Sequence, residues 1–193
     1  MNFLTAERRQ LLESFGWAPA TLAAALRAFP RKMWVYKDSA NVQSIHDIVW
    51  ELADNEAIEF IYCRRFIADC SPTAATADSL GLPGTLGYFY QNIKEAMGII
   101  RALRPATYRF LKTLPDTAWD SPIEIPTYGK LTLHQWLQIQ ERCIPEHIEK
   151  MHQIYVAWLD AKAKGALAAA AQPNTSAIRI LASAEASADS LQQ

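Results

Sequence analysis

Apolar side chains recur every three to four residues along four long stretches of this chain, and over no comparable length do they alternate from one residue to the next. A spacing of three to four places the apolar groups on one face of an α-helix, whereas a strand needs a period of two. The punctuation between the stretches is Pro, Gly, Ser, Asp and Asn. These patterns predict an all-α protein, a four-helix bundle in which each helix turns its apolar stripe inward.

The first stretch runs from about Thr5 to Phe29, with Leu11, Leu12, Phe15, Leu22, Ala25 and Leu26 at helical spacing, and Gly16 and Pro19 predict a break within it. Ser44 followed by Asp47 reads as an N-cap with an acid in the first turn. A second helix should start there, carry Ile45, Ile48, Val49, Leu52, Cys63, Phe66 and Ile67 on its apolar face and end near Ala68. Residues 69–85 read as a loop. The third helix, from about Leu86 to Leu114, should be kinked or divided by Pro105, which lacks a backbone donor and crowds the preceding turn. Pro115 to Lys130, with three prolines and Gly129, reads as a connection. Thr132 and Gln135 have the spacing of a capping box. They open a fourth helix with Leu133, Leu137, Ile144, Ile148, Met151 and Tyr155 toward the core, running to about Ala161.

At 193 residues, with 50% hydrophobic and 20% charged side chains, the chain can fill one core. The expected organisation is a bundle over residues 1–160 and an Ala-rich C-terminal extension over 161–193, partly disordered. A net charge of -1 gives no electrostatic footprint for nucleic acid or anionic lipid. No segment approaches the ~20 apolar residues of a membrane span, and charges interrupt the N-terminus before a signal-peptide core can form. The expected location is the cytoplasm. Cys63, Cys70 and Cys143, without C-x-x-C spacing, read as free thiols.

The segment Ser44-Ile45-His46-Asp47-Ile48-Val49-Trp50-Glu51-Leu52-Ala53-Asp54-Asn55-Glu56 resembles the second helix of the DinB/YfiT-like family. Members of that family read W-S-(I/V)-x-E-(I/V)-x-x-H-L-x-D-x-E here, and the histidine is one of three metal ligands. This chain has Glu51 at that position. Thr132-Leu133-His134-Gln135-Trp136-Leu137 resembles the start of the family's fourth helix, and Cys143-Ile144-Pro145-Glu146-His147-Ile148 resembles its H-x-x-x-H-(I/L) metal motif, with Cys143 in place of the first histidine. Arg104 to Trp119 resembles its R-x-x-x-x-x-L-x-x-L-P-D-x-x-W stretch, with six residues rather than five between Arg104 and Leu111. The resemblance spans about residues 5–160 and implies a DinB/YfiT-like bundle, a homodimer through helix faces, and His147, Glu51 and Cys143 as the counterparts of the metal ligands.

Independently of any family, Cys143 and His147 lie four apart on one helical face. Glu51 flanks the apolar face of the second helix and can meet them across an antiparallel pair of helices. Carboxylate, thiolate and imidazole all suit zinc, nickel or iron. Glu56 and Glu59 fall near the centre of that apolar face, where a carboxylate needs a partner or a raised pKa. Glu56 is expected to pair with Arg64, Arg101, Arg104 or a loop backbone, with a supporting role behind the site, or that of a base, as the other reading. Trp50, Trp136 and Gln140 are expected to wall a pocket, and His46 and His134 to be solvated. Glu149 and His152 have the E-x-x-H spacing of di-iron bundles, without the second copy those require.

Two functions remain open. One is a bundle whose family metal site has degenerated, with no metal, binding an apolar small molecule in the interhelical cleft or serving as an interaction module. The alternative is an enzyme of thiol S-transferase or hydrolase type, using one divalent ion held by Glu51, Cys143 and His147. Replacement of two of the three family ligands favours the first.

Overall fold

A computed structural model describes residues 5–37, 43–65, 88, 91–120, 122–125 and 128–171. The expected loop over 69–85, the helix residues assigned to 66–68, 86 and 89, Cys70 and the tail from 172 onward lie outside them. Contacts divide the chain into two compact units, Met1–Tyr155 and Val156–Gln193. The bundle belongs to the first.

Helix α1 spans Ala6–Ala28, α2 Ile45–Arg65, α3 Ile93–Lys112, the short α4 Asp116–Trp119, and α5 Leu133–Ala171. Their starts are set by side chains. The Thr5 hydroxyl accepts from the Arg8 N–H, and Asn92 accepts from Lys94. At α2 the Ser44 N–H donates to Asp47 while the Asp47 N–H donates back to the Ser44 hydroxyl. Thr132 and Gln135 do the same at α5, at 2.9 and 3.2 Å. Both reciprocal boxes satisfy donors that a helix start leaves without intrahelical partners.

None of the prolines divides its helix. In α1, Pro19 sits on the buried stripe Phe15, Pro19, Leu22 and Leu26, where its ring packs as an apolar side chain. Gly16 marks a close approach instead, for a Cβ there would stand 3.0 Å from the Tyr108 ring of α3. Helix α3 runs unbroken through Pro105, and α5 through Pro145. Helix α5 also continues past the expected end near Ala161, through an Ala-rich stretch of high helix propensity.

The connection before α5 contains an antiparallel hairpin, β1 (Pro122–Ile125) paired with β2 (Gly129–Thr132). Gly129, at φ 71°, takes a backbone conformation that glycine adopts without a Cβ penalty. The four helices meet in an apolar cluster of Leu12, Phe15, Tyr62, Cys63, Leu111, Leu133, Trp136 and Leu137, closed by Trp119 of α4. Trp17 lies outside this cluster and is 68% exposed. No helix among the described residues is long and apolar enough to cross a membrane.

Candidate functional site

Two polar stripes face each other across a cleft of about 190 Å³ between α2 and α5. Glu51, Asn55 and Glu59 recur every four residues on α2, so they share one face. Gln140, Cys143, His147 and Lys150 form the facing stripe of α5, with Ile139 and Glu146 beside them, and Tyr128 closes the cleft from the hairpin.

His147 is 8% exposed and its ring is held in place. Nδ1 donates to the Cys143 carbonyl oxygen at 2.7 Å, and the Cys143 Sγ lies 3.9 Å from the same nitrogen. On the opposite ring edge, Nε2 is buried and has no hydrogen-bond partner among the described residues. The nearest charge is Glu51 Oε1, at 3.7 Å, an ion-pair rather than a hydrogen-bond distance. Glu51 Oε2 accepts from the Gln43 amide. The His147 side chain holds the Glu51 carboxyl below its ordinary range, against burial and with help from Gln43. Burial opposes a charge on His147, but Cys143 and Glu51 outweigh it and the pKa is pushed up to about 10.

Glu51, Cys143 and His147 therefore line one cleft, yet they do not surround one point. An imidazole nitrogen offers its lone pair outward in the ring plane. An ion at Nε2 would face Glu51 and leave the Cys143 sulfur on the far edge, while Nδ1 is committed to a carbonyl. Among the described residues no group of three His, Cys, Asp or Glu side chains is placed to hold a metal ion. The donor set does not fit a three-ligand metal. Pro145, between Cys143 and His147, is exposed. Its missing N–H leaves the Glu141 carbonyl without its helical donor on the side facing water.

The remaining candidates separate clearly. Glu56, 3% exposed, faces the core and pairs with Arg104, which is also 3% exposed, through Nε at 2.7 Å and a terminal nitrogen at 2.6 Å. Arg104 lies 4.1 Å over the Phe15 ring and reaches the Gln140 carbonyl. Burial pushes the Glu56 carboxyl up, and Arg104 opposes it. Trp136 is fully buried, and its indole N–H donates to Glu59 Oε2 at 2.6 Å. Burial raises Glu59 to about 7, with Trp136 opposing and the Glu56 charge adding to the rise. Gln140 does line the cleft, at 6% exposure. Trp50 does not; it stacks on Tyr88 with ring centroids 6.1 Å apart.

The expectation of solvated histidines is corrected at two positions. His46 is buried with Nε2 2.8 Å from the Gln91 carbonyl, and His134 is half-buried near Glu7. Each sits in a first turn whose flank is covered by a neighbouring segment, which a helix-start signal does not reveal. His152 is exposed and meets the Phe29 ring edge-on, apart from any cluster of carboxylates. Asn55, Tyr128, Glu146 and Lys150 were not anticipated. Extending the spacing of four from Glu51 would have found Asn55, and the helical spacings of three and seven from Cys143 would have found Glu146 and Lys150.

No family model and no curated protein matches the sequence. The fold has solved counterparts. One is YfiT from Bacillus subtilis, described as a probable metal-dependent hydrolase with an unusual four-helix bundle topology, which is 15% identical and superimposes with a TM-score of 0.70 over 80% of this chain and 89% of that one. At that identity the likeness shows the fold alone: this chain is a YfiT-like four-helix bundle.

Proposed function

We propose that this chain is a DinB/YfiT-like bundle that binds a small polar molecule in the α2–α5 cleft, at a site where the family's metal-binding positions carry a different set of side chains. The observation that carries this reading is the buried Nε2 of His147, 3.7 Å from Glu51 and without a hydrogen bond among the described residues, beside a cleft of about 190 Å³. A buried polar atom without a hydrogen bond costs about 1–3 kcal/mol, a cost that a ligand can remove by supplying the missing contact. The rest of the wall is suited to polar recognition. Asn55 and Gln140 offer amide donors and acceptors, Lys150 a cation, and Glu51 and Glu59 carboxylates. Polar lining of this kind selects a compact, hydrogen-bonding ligand over an apolar one.

The metal-dependent enzyme is the second reading, favoured by the description of YfiT and by the proximity of Nε2 to Glu51. Two measurements on untagged protein test both. Metal content per chain is determined for the wild type and for His147→Ala, and shift mapping follows a panel of small amines, carboxylates and thiols. Metal-free protein whose shifts cluster at Asn55, Gln140 and His147 supports the ligand cleft. Near-stoichiometric zinc, nickel or iron that disappears in His147→Ala establishes the metal reading. Neither metal nor clustered shifts would overturn both.

A further inference from the structure

Between α1 and α3 lies a second concavity, a groove of about 410 Å³ that shares no residue with the α2–α5 cleft. Trp17, Ala20, Ala23 and Arg27 line it from α1, and Arg101 and Pro105 from α3. Gly16 meets Tyr108 at one place and Arg27 shares the groove with Arg101, so the two helices run antiparallel. Arg27 stands eleven residues beyond Gly16 and Arg101 seven before Tyr108. At ~1.5 Å per residue both arginines lie ~10–16 Å from that contact, toward the same end of the groove. Gly16, Ala20 and Ala23 fall on one face of α1, and their small side chains keep the floor low. Trp17 rises beside them, 68% exposed.

Charge around the groove is one-sided. No Asp or Glu occurs from Gly16 to Phe29 or from Ala96 to Lys112, and none lines the groove among the described residues. Of the cations on these stretches, Arg104 is matched by Glu56 and Lys112 by Glu13. Arg27 and Arg101 are exposed and have neither an ion pair nor a hydrogen bond among the described residues. Neither has an acid three or four residues away on its own helix, where a helical arginine ordinarily finds one. The chain as a whole carries a net charge of -1, so the positive excess is a local property of this face.

Two like charges at one end of a groove repel each other, and an anion entering between them turns that repulsion into attraction. A guanidinium presents paired N–H donors that match the two oxygens of a carboxylate. Trp17 offers a flat apolar wall on which a ring can lie, over a floor of alanine and proline. We infer that the α1–α3 groove binds a small aromatic carboxylate, with its acid group on Arg27 and Arg101 and its ring against Trp17. The ~15 Å between Trp17 and Arg27 along α1 suits a two-ring body, the arginine side chains closing the remainder. This site is independent of the α2–α5 cleft.

The test titrates the full chain with three probes of one shape, 2-naphthoate, 2-naphthalenemethanol and 2-naphthylmethylamine, and follows backbone amide shifts. 2-Naphthoate should give saturable shifts clustered on Trp17, Ala20, Ala23, Arg27 and Arg101. The alcohol should bind at least about 10-fold more weakly and the amine more weakly again. Added salt should weaken the acid and spare the alcohol. Arg27→Gln and Arg101→Gln change exposed side chains and should leave the fold intact. Each should weaken 2-naphthoate by about 10-fold and the alcohol by less than about 2-fold, a split that general loss of packing would not give. Trp17→Ala should weaken acid and alcohol in equal proportion. Absence of saturable shifts, or shifts that cluster in the α2–α5 cleft, would overturn the inference. Alcohol binding as tightly as the acid would do the same, and that comparison is made on the wild type. A dimer that Trp17→Ala dissociates would also overturn it, because a second copy of the chain would then cover the groove.

Discussion

The two faces of α2 handle buried carboxylates in opposite ways. On the core face, Glu56 meets two nitrogens of Arg104, and Arg104 in turn lies against Phe15 and the Gln140 carbonyl, so its charge is matched on several sides. On the cleft face, Glu51 stands at 3.7 Å from a histidine nitrogen that has no hydrogen bond, and Glu59 has its pKa raised to about 7. A partnered buried charge fixes helix packing. One whose neighbours are left short of partners marks a place where something else can bind, at a cost in stability that selection tolerates only for function.

The largest expected effect breaks the core face. Arg104→Ala removes one member of a buried pair and strands Glu56, which should cost about 3–5 kcal/mol in urea unfolding. The double variant Glu56→Met/Arg104→Met should recover most of that loss, because both charges leave together. A single variant as stable as wild type would show that Glu56 already has another partner, and the contrast between the faces would fall.

Next comes a pH effect from the cleft face. Glu59 is raised from 4.5 to about 7 in the folded chain. Below pH 4.5 both states hold the proton. Between there and about 7 the unfolded chain releases it while the folded one keeps it, so this group makes stability fall as pH rises, and the loss levels off above 7. For a half-buried carboxyl the expected total is roughly 1–3 kcal/mol. The groups facing it are Glu56, Arg104, Trp136 and Gln140. Glu56, also raised, adds a slope of the same sign, whereas Glu51, which is lowered, contributes stability above its unfolded pKa that is lost in acid. Comparing wild type with Glu59→Gln between pH 4 and 8 isolates the Glu59 share, and an identical slope in the two would refute it.

Part of this contrast could be read before the structure, because it depends on local rules, but Glu59, expected beside Glu56 on the apolar face, lines the cleft instead. The two capping boxes, the helical stripes and the need of Glu56 for an arginine follow from spacing and burial chemistry. The prolines did not, since spacing cannot tell whether a ring faces a core that accepts it, as Pro19 does, or water that satisfies a freed carbonyl, as at Pro145. The hairpin escaped because its strands are four residues long, with prolines on either side of Ile123-Glu124-Ile125. For the site, spacing places Glu51, Cys143 and His147 near one another, and all three line one cleft without surrounding one point. Their arrangement depends on the rotamer of His147, set by the bond from Nδ1 to the Cys143 carbonyl, and no sequence pattern encodes that bond.

A moderate effect sharpens the same point by acting at a distance from both faces. Thr132→Ala removes the hydroxyl that accepts from Gln135 at the start of α5. The expected loss is about 1 kcal/mol, with ligand shifts in the cleft unchanged, because the stripe from Gln140 to Lys150 lies beyond the first turn. A comparable loss of those shifts would mean that the cap also sets the register of the cleft.

The smallest expected change tests the cleft face directly. Cys143→Ser exchanges one small, partly exposed polar atom for another at a position outside the apolar cluster, and should move stability by no more than about 0.5 kcal/mol in either direction. Cys63→Ser, in the cluster itself, places a hydroxyl where apolar side chains surround it and should cost several times as much, about 1–3 kcal/mol. The two substitutions are chemically identical, so their difference measures environment alone. Near-equality would mean that Cys143 is packed as tightly as Cys63, in which case the polar stripe would be structural. A several-fold difference would show that the cleft face contributes less than the apolar cluster to holding the bundle together, which leaves its side chains free to meet a ligand.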